Sequence, residues 1–256
     1  MTVISNGTNL INNGTLDSAV PTGKMTLIKT LTGGASTTTI SFVHGSSDVV
    51  FDSTYSIYKI KFINVHADDN TPNMSFNLSV DSGSNYNVTK TSTAFHAWHK
   101  EDDSGTNLSY TAGNHLAQGT GAQRLTSGGM DVANADGNVS GELTLYDPSS
   151  TTFVKNFIAR SALNSYHPYA YNLYIAGYAN TTSAINAIQF TIESQNFDNG
   201  IFKPYEVSYE IARAMRENAD KIGENNAFDQ ARDVIRNLRS EMSALDLSLP
   251  EFPVFE

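Results

Sequence analysis

The residues best suited to chemistry lie in one short stretch, 96–103, which contains two imidazoles and three carboxylates. Divalent transition metals accept this ligand set. In a β-strand, however, His96 and Trp98 project from one face and His99 from the other. We therefore interpret the stretch as a polar strand end that leads into a turn, and predict no metal site there.

Two other acidic stretches, 66–70 and 131–138, offer carboxylates and carbonyls that a calcium ion accepts if the loop curls around it. The second lacks the closely spaced aspartates and the terminal glutamate of a helix-flanked calcium loop. Both are interpreted as ordinary turns. Nor does the sequence contain a nucleophile elbow, a phosphate loop, a zinc-protease motif, a dinucleotide fingerprint or any cysteine. We predict a protein that is not an enzyme and has no cofactor.

A group of aromatic residues suggests carbohydrate binding, because aromatic rings stack on sugar rings. The group consists of Trp98 and the tyrosines at 166, 169, 171, 174 and 178, and its possible glycan contacts are Trp98, Tyr166, Tyr169 and Tyr171. Such residues in a β-protein more often belong to the core or to a subunit interface, so both interpretations stay open. Residues 165–171 are predicted to form an exposed loop that runs into a strand.

The elements that must position these residues are short β-strands, separated by turn clusters, over residues 25–206. Alternation places Tyr58, Ile60 and Phe62 on one buried face. We predict a mainly β fold, an antiparallel β-sandwich or jelly roll. Residues 1–24 form an N-terminal arm, where two Asn-Gly pairs favour a hairpin. The clearest strands are predicted at 39–43, 56–65, 73–80, 141–146, 152–158, 171–178 and 185–193.

The character of the sequence changes at residues 207–245, which predict a two-helix hairpin. Its second helix carries an apolar seam at strict spacings of three and four, typical of helices that associate. The seam consists of Phe228, Ala231, Ile235, Leu238, Met242 and Leu245. Residues 246–256 then form an extended tail, which we predict to dock on a neighbouring subunit through Leu249, Phe252 and Phe255. A homo-oligomer follows, either a dimer or a trimer.

Charge excludes some partners. The net charge of −10 argues against nucleic acid, whose phosphates require a basic surface, and against an anionic membrane. The start of the sequence lacks the basic and apolar segments of a secretory signal, and no apolar run is long enough to cross a bilayer. We expect synthesis in a cytosol.

Five stretches of the body resemble virion structural proteins of the tailed bacteriophages that infect marine cyanobacteria and heterotrophs. They are residues 25–31 (MTLIKTL), 52–55 (DSTY), 116–121 (LAQGTG), 141–155 (GELTLYDPSSTTFVK) and 177–181 (GYANT). The resemblance covers about residues 25–206, and the run at 145–155 is its most specific part. Family members tend to stop near residues 203–207, whereas this chain continues.

This resemblance implies a place in the phage particle and supplies no catalytic motif. The expected function is that of an accessory virion protein, a capsid decoration or head-fibre protein, made in the bacterial cytoplasm. The alternative is a tail or tail-fibre component that binds a host receptor or glycan. Expected partners are further copies of the chain and other virion proteins. A depolymerase would need paired acidic residues across a groove, which the sequence alone does not locate.

Overall fold

The structure is a computed structural model that describes residues 3–5, 8–12, 15–16, 25–69, 72–130, 137–207 and 236. The chain divides into two units, one spanning Met25–Ser208 and the other combining Met1–Lys24 with Tyr209–Glu256. The predicted helical hairpin and tail lie outside the described residues, apart from Arg236, which is helical. Val207, predicted as the start of the hairpin, is the last residue of a strand.

The Met25–Ser208 unit is built from antiparallel strands, as the alternating sequence predicts. Its first strands are β4 (Met25–Leu27), β5 (Leu31–Thr37), β6 (Thr39–Val43), β7 (Ile57–Ala67), β8 (Met74–Ser79), β9 (Lys90–Lys100) and β10 (Thr106–Tyr110). They are followed by β11 (Gln123–Arg124), β12 (Val139–Tyr146), β13 (Lys155–Asn164), β14 (Tyr169–Ala179), β15 (Ala187–Ile192) and β16 (Phe197–Val207). The mainly β fold class is confirmed.

The N-terminal arm, part of the other unit, contains β1 (Val3–Ser5), β2 (Thr8–Asn12) and β3 (Thr15–Leu16), which form one antiparallel sheet. Ser5 pairs with Thr8, and Asn12 pairs with Thr15. The sequence between each pair is Asn-Gly, the dipeptide that most favours two-residue hairpin loops. The arm therefore contains the predicted hairpin and a second one.

Two sheets make up the body. The larger has the order β10-β9-β14-β13-β12-β7-β16-β4, with β5 also paired to β16, and the smaller has the order β11-β8-β15-β6. Successive strands often change sheet: β6 and β8 lie in the smaller one, β7 and β9 in the larger one. Strands β12, β13 and β14 form a meander within the larger sheet.

The sheets pack face to face across one core, because aromatic rings from both meet there. Phe76 on β8 contacts Phe157 on β13, with ring centroids 5.3 Å apart. Phe190 on β15 lies 5.1 Å from Phe202 on β16. Tyr58, Ile60 and Phe62, predicted to share one face, are fully buried in this core. Apolar burial is the main stabilising contribution in such a fold.

One predicted strand begins late. The segment expected at 152–158 is strand only from Lys155, because the hydroxyl of Ser150 accepts hydrogen bonds from the amides of Thr152 and Phe153. A serine turn of this kind competes with strand pairing. Strands β5, β9, β10 and β16 were not among the clearest predicted strands, although all four belong to the large sheet.

Gly141 marks a close approach within the large sheet. A Cβ at this position would lie 2.2 Å from the carbonyl oxygen of Arg160 and 2.6 Å from the ring of Phe62. The register of β12 against β7 shifts between Val139 and Gly141. Only glycine fits there without displacement of the neighbouring backbone.

Candidate binding surfaces

The cluster of imidazoles and carboxylates is divided between the two faces of β9. The ring nitrogens of His96 face hydroxyl groups: Nδ1 contacts Thr111 Oγ1, and Nε2 lies 3.0 Å from Ser109 Oγ. His99, on the opposite face, has its Nε2 2.9 Å from Asp103 Oδ1. Burial lowers the pKa of His96. Each histidine is thus engaged locally, and the two do not converge on one point.

Hydrogen bonds within the protein also occupy the acidic stretch near residue 66. His66 Nδ1 lies 3.2 Å from Asp198 Oδ2, and Asp68 accepts hydrogen bonds from the side chain and backbone of Asn196. The bonds from Asn196 lower the pKa of Asp68. The other candidate calcium stretch falls largely on residues outside the described part. In the part that is described, no three His, Asp or Glu side chains are arranged to hold a metal ion.

The aromatic residues predicted to bind glycan gather at one end of the large sheet, where the β9–β10 and β13–β14 connections meet. The ring of Trp98 stacks on Tyr169 with centroids 4.7 Å apart, and His167 lies 5.5 Å from Tyr169. Lys100 Nζ lies 5.8 Å from the centre of the Tyr169 ring. Tyr166 contacts His167 and is 48% exposed. We call Trp98, Lys100, Tyr166, His167 and Tyr169 the end cluster.

Tyr171 does not join this surface. Its side chain points into the core beside His96 and is only 8% exposed. Burial raises the pKa of its hydroxyl, and a hydrogen bond with Ser127 partly offsets that rise. A sugar ring has no access to Tyr171, because β14 turns this residue inward while Ala170 and Asn172 face outward.

A second aromatic surface, which includes Tyr174 from the aromatic group of the sequence, crosses the outer face of the large sheet. Phe95 on β9 stacks on Tyr174 of β14 with centroids 4.9 Å apart, and the guanidinium of Arg160 lies 5.1 Å from the Tyr174 ring. Strand register brings these residues together, since Tyr174 pairs with both Phe95 and Arg160. Alternation alone would have placed Phe95 on an outward face. Alternation contains no information, however, on which strands are neighbours, so it does not predict that Tyr174 lies beside Phe95.

Two shallow grooves flank this row on the outer face. One, of about 400 Å³, runs past Ser140, Ala162 and Ala170, and the other, of about 500 Å³, runs past Ile158, Ala176 and Tyr178. Enclosed apolar clefts are the usual sites for small molecules, and these depressions are too open for that role. They suit an extended partner, such as a polymer or another protein surface.

The core contains two lysines that sequence reasoning missed. Lys90 is fully buried, and its Nζ donates to Asn77 Oδ1 at 2.5 Å and to the carbonyl of Val88 at 2.7 Å. Lys155 is also buried and donates to the carbonyl oxygens of Thr181 and Ser183. Desolvation lowers the pKa of Lys90 to about 8. Both ammonium groups hold connecting segments in place through neutral acceptors.

Comparison with known proteins adds no relative to these observations. No protein-family model matches the chain, and no match was found among curated proteins or among solved structures. Within the described residues, no helix has the length and apolar character needed to cross a membrane.

Proposed function

We propose that this protein is a non-enzymatic structural component of a tailed-phage virion, an accessory capsid decoration or head-fibre protein. The observation that carries the proposal is the run at 145–155, LYDPSSTTFVK, the most specific part of the resemblance to marine phage virion proteins. The run connects β12 to β13. Its contacts support a structural purpose for its residues.

Three of these residues tie separate segments together. The amide of Asp147 donates to the carbonyl of Ser56 at 2.6 Å, and the carbonyl of Pro148 accepts the amide of Ile185 at 2.8 Å. Lys155 holds the carbonyl of Ser183 at 2.7 Å. The run thus organises one end of the body, and it also presents Phe153, which is 72% exposed. Phe153, beside this hydrogen-bonded turn, is proposed as a contact with a neighbouring protein.

The body is proposed to be a variant of the jelly roll. Supporting this, the chain passes repeatedly between the two sheets, with β6, β8 and β15 in the smaller and β7, β9 and β16 in the larger. The meander β12–β13–β14, which stays within the larger sheet, is proposed as an addition to the eight strands of a simple jelly roll. Jelly rolls are common in capsid proteins, although a fold alone does not determine function.

Assembly is assigned to the segments that flank the body. Residues 208–245 are proposed to form the helical hairpin, starting after Val207, and residues 246–256 the docking tail. Repetition of weak contacts over a symmetric particle produces high avidity without any single strong site. The proposed partners are copies of the chain and other virion proteins.

Immunogold electron microscopy of intact virions tests this function, with antibody raised against the folded body. Regular labelling of the head is the expected result. Label confined to the tail would instead favour the tail or tail-fibre alternative. Virions that carry no label, although the antibody detects the protein in lysates of infected cells, would contradict a virion role altogether.

The second candidate function, a tail component that binds host glycan, is favoured by the end cluster. It combines the partly exposed Tyr166 with the stacked Trp98 and Tyr169 and the cationic Lys100. If it binds sugar, Tyr166→Ala should weaken the calorimetrically measured affinity for host surface polysaccharide. The matched control is Phe153→Ala, an exposed aromatic residue in the β12–β13 connection. Equal affinity of both variants and the unmodified protein would remove the end cluster from consideration.

A further inference from the structure

Strand β10 is the last strand of the large sheet, and its hydrogen-bonding pattern leaves one edge open. The amide of Lys100 donates to the carbonyl of Gly105, and the amide of Thr111 donates to the carbonyl of Ala94. In an antiparallel ladder the bonded residues alternate, so the odd-numbered residues of β10 bond to β9. The backbone groups of Thr106, Leu108 and Tyr110 therefore point away from β9, where no described strand pairs with them.

This edge lacks the features that normally prevent pairing with another chain. Its sequence, Thr-Asn-Leu-Ser-Tyr, contains no charged residue and no proline. Leu108 is 70% exposed and Tyr110 is 58% exposed, on the same outward face as Phe95. Strand β6, an edge of the small sheet, differs because its apolar residues Ile40 and Phe42 are buried. Strand β4, the opposite edge of the large sheet, also exposes Met25 and Leu27, but it has three residues whereas β10 has five, so β10 offers the longer edge for pairing.

We propose that β10 pairs antiparallel with β10 of a second copy of this chain, about a two-fold axis at Leu108. In that register Leu108 faces its own equivalent, and Thr106 faces Tyr110 of the other copy. All three outward-pointing residues then find partners, and three hydrogen-bonded pairs supply about six backbone bonds. In a charged strand, like charges would face each other across the two-fold axis and disfavour the pairing. Strand β10 carries no charge, so it is compatible with a second copy of itself.

Exposed apolar area supports the second copy as the occupant. The pairing brings the Leu108 side chains together and places each Tyr110 over Thr106 of the other copy. The two large sheets become one continuous sheet whose outer faces adjoin. This interface deepens the proposed assembly function by naming one contact between copies. It is separate from the predicted helical seam.

Single-cysteine cross-linking of the full chain tests the register, because the protein has no native cysteine. Hydrogen-bonded residues in antiparallel strands have Cα atoms about 5.5 Å apart, and their Cβ atoms are farther apart than a disulfide prefers, so a short bifunctional thiol reagent is used for cross-linking. With that reagent, Leu108→Cys should form a covalently linked dimer. Thr106→Cys is the matched control, since its two copies would lie about 14 Å apart. Mixed with Tyr110→Cys, however, Thr106→Cys should cross-link.

The expected yield of linked dimer is roughly tenfold higher for Leu108→Cys, and for the Thr106→Cys and Tyr110→Cys mixture, than for Thr106→Cys alone. Equal yields in all samples would indicate random collision and overturn the proposal, as would the absence of linked dimer from Leu108→Cys. Virion labelling is read independently. A protein that is absent from virions but cross-links at Leu108 would retain this interface and lose the proposed function.

Discussion

At the scale of single residues, the core accommodates polar groups by giving each one a partner. Lys90 and Lys155 donate to carbonyl or carboxamide oxygens and have no hydrogen bond to a carboxylate among their described contacts. The hydroxyl of Tyr58 both accepts the amide of Asp52 and donates to its carbonyl. Such bonds reduce the penalty of burial, but a buried charge still disfavours folding.

The stability of the protein should therefore rise with pH above neutrality. The pKa of Lys90 is lowered to about 8, below its usual value of 10.5, so the unfolded chain binds more protons between these values. Between pH 8 and 9.5 the free energy of unfolding should increase by about 2 kcal/mol. Burial raises the pKa of Tyr58 to about 12, which reduces stability only above the usual tyrosine pKa of about 10.

Urea denaturation at several pH values measures this effect in the unmodified protein and in Lys90→Met. The variant has no titrating group at this position, so its stability should rise less over the same pH interval. If the plots of unfolding free energy against pH were parallel for the two proteins, the pH dependence would not arise from Lys90.

At the scale of elements, aromatic contacts between the sheets hold the body together. Phe157 meets Phe76 edge to face across the core, and Phe190 meets Phe202. Because successive residues of a strand point to opposite faces, each strand contributes to this layer at every second position. In β13, Phe157 points inward and Ile158 outward, where it is half exposed.

Two phenylalanines four positions apart should therefore respond differently to truncation. Phe157→Ala removes a fully buried ring and leaves a cavity, which should lower the free energy of unfolding by about 3–5 kcal/mol. Phe153→Ala, in the exposed connection, should change it by no more than about 0.5 kcal/mol. Chemical denaturation of both variants gives the comparison. Similar losses for the two would contradict the inter-sheet position of Phe157.

At the scale of the whole molecule, the sequence joins a body of low charge content to a terminal segment rich in charge. The open grooves, the exposed Phe153 and the edge of β10, which has no partner among the described strands, would suit extended partners better than small ligands. Their distribution over the body fits a protein that works by repeated contact within an assembly. The C-terminal seam, outside the described residues, is predicted to supply the oligomeric contact.

Charge placed in that seam should dissociate the oligomer. Ile235→Asp with Leu238→Asp puts two carboxylates where helices are predicted to associate, so light scattering should give the mass of a monomer at micromolar concentrations. The β10 pairing joins only two five-residue strands and is too small to hold a dimer alone at that dilution, so it is expected to form between copies that the seam already holds together. Asn237→Asp with Ser240→Asp adds the same charge off the seam and should retain the oligomer. An unchanged mass for the seam variant would refute its role.

Local periodicity predicted much of the fold. The buried residues Tyr58, Ile60 and Phe62 alternate with partly exposed residues, among them two lysines. This pattern alone predicts the strand and its buried face. Strand β16 was not among the clearest predicted strands, and it contains Gly200 and Pro204, residue types that usually interrupt a strand. The carbonyl of Pro204 accepts a hydrogen bond from the amide of Ile28 at 3.0 Å, so the backbone of Pro204 points away from β7. Its missing amide hydrogen therefore costs no hydrogen bond to β7.

The candidate surfaces were predicted less completely. The sequence identified Trp98, Tyr166 and Tyr169, which the structure does bring to one end of the sheet, but it grouped with them Tyr171, which lies in the core. Tyr174 also belonged to the aromatic group of the sequence, but its stacking partner Phe95, on a different strand, was not predicted. Residues close along the chain were found together, whereas residues joined by strand pairing were missed.

By itself, the sequence determined that the protein is mainly β, which side chains share a face, and where the arm and the C-terminal segment depart from the body. The tertiary structure decided which strands are neighbours, that Lys90 lies within the core, and that no described strand pairs with the outer edge of β10. The physical reason is the distance along the chain over which each feature is determined, because alternation follows from the geometry of one strand. Neighbouring strands and burial instead depend on contacts between residues far apart in the chain, which no local pattern encodes.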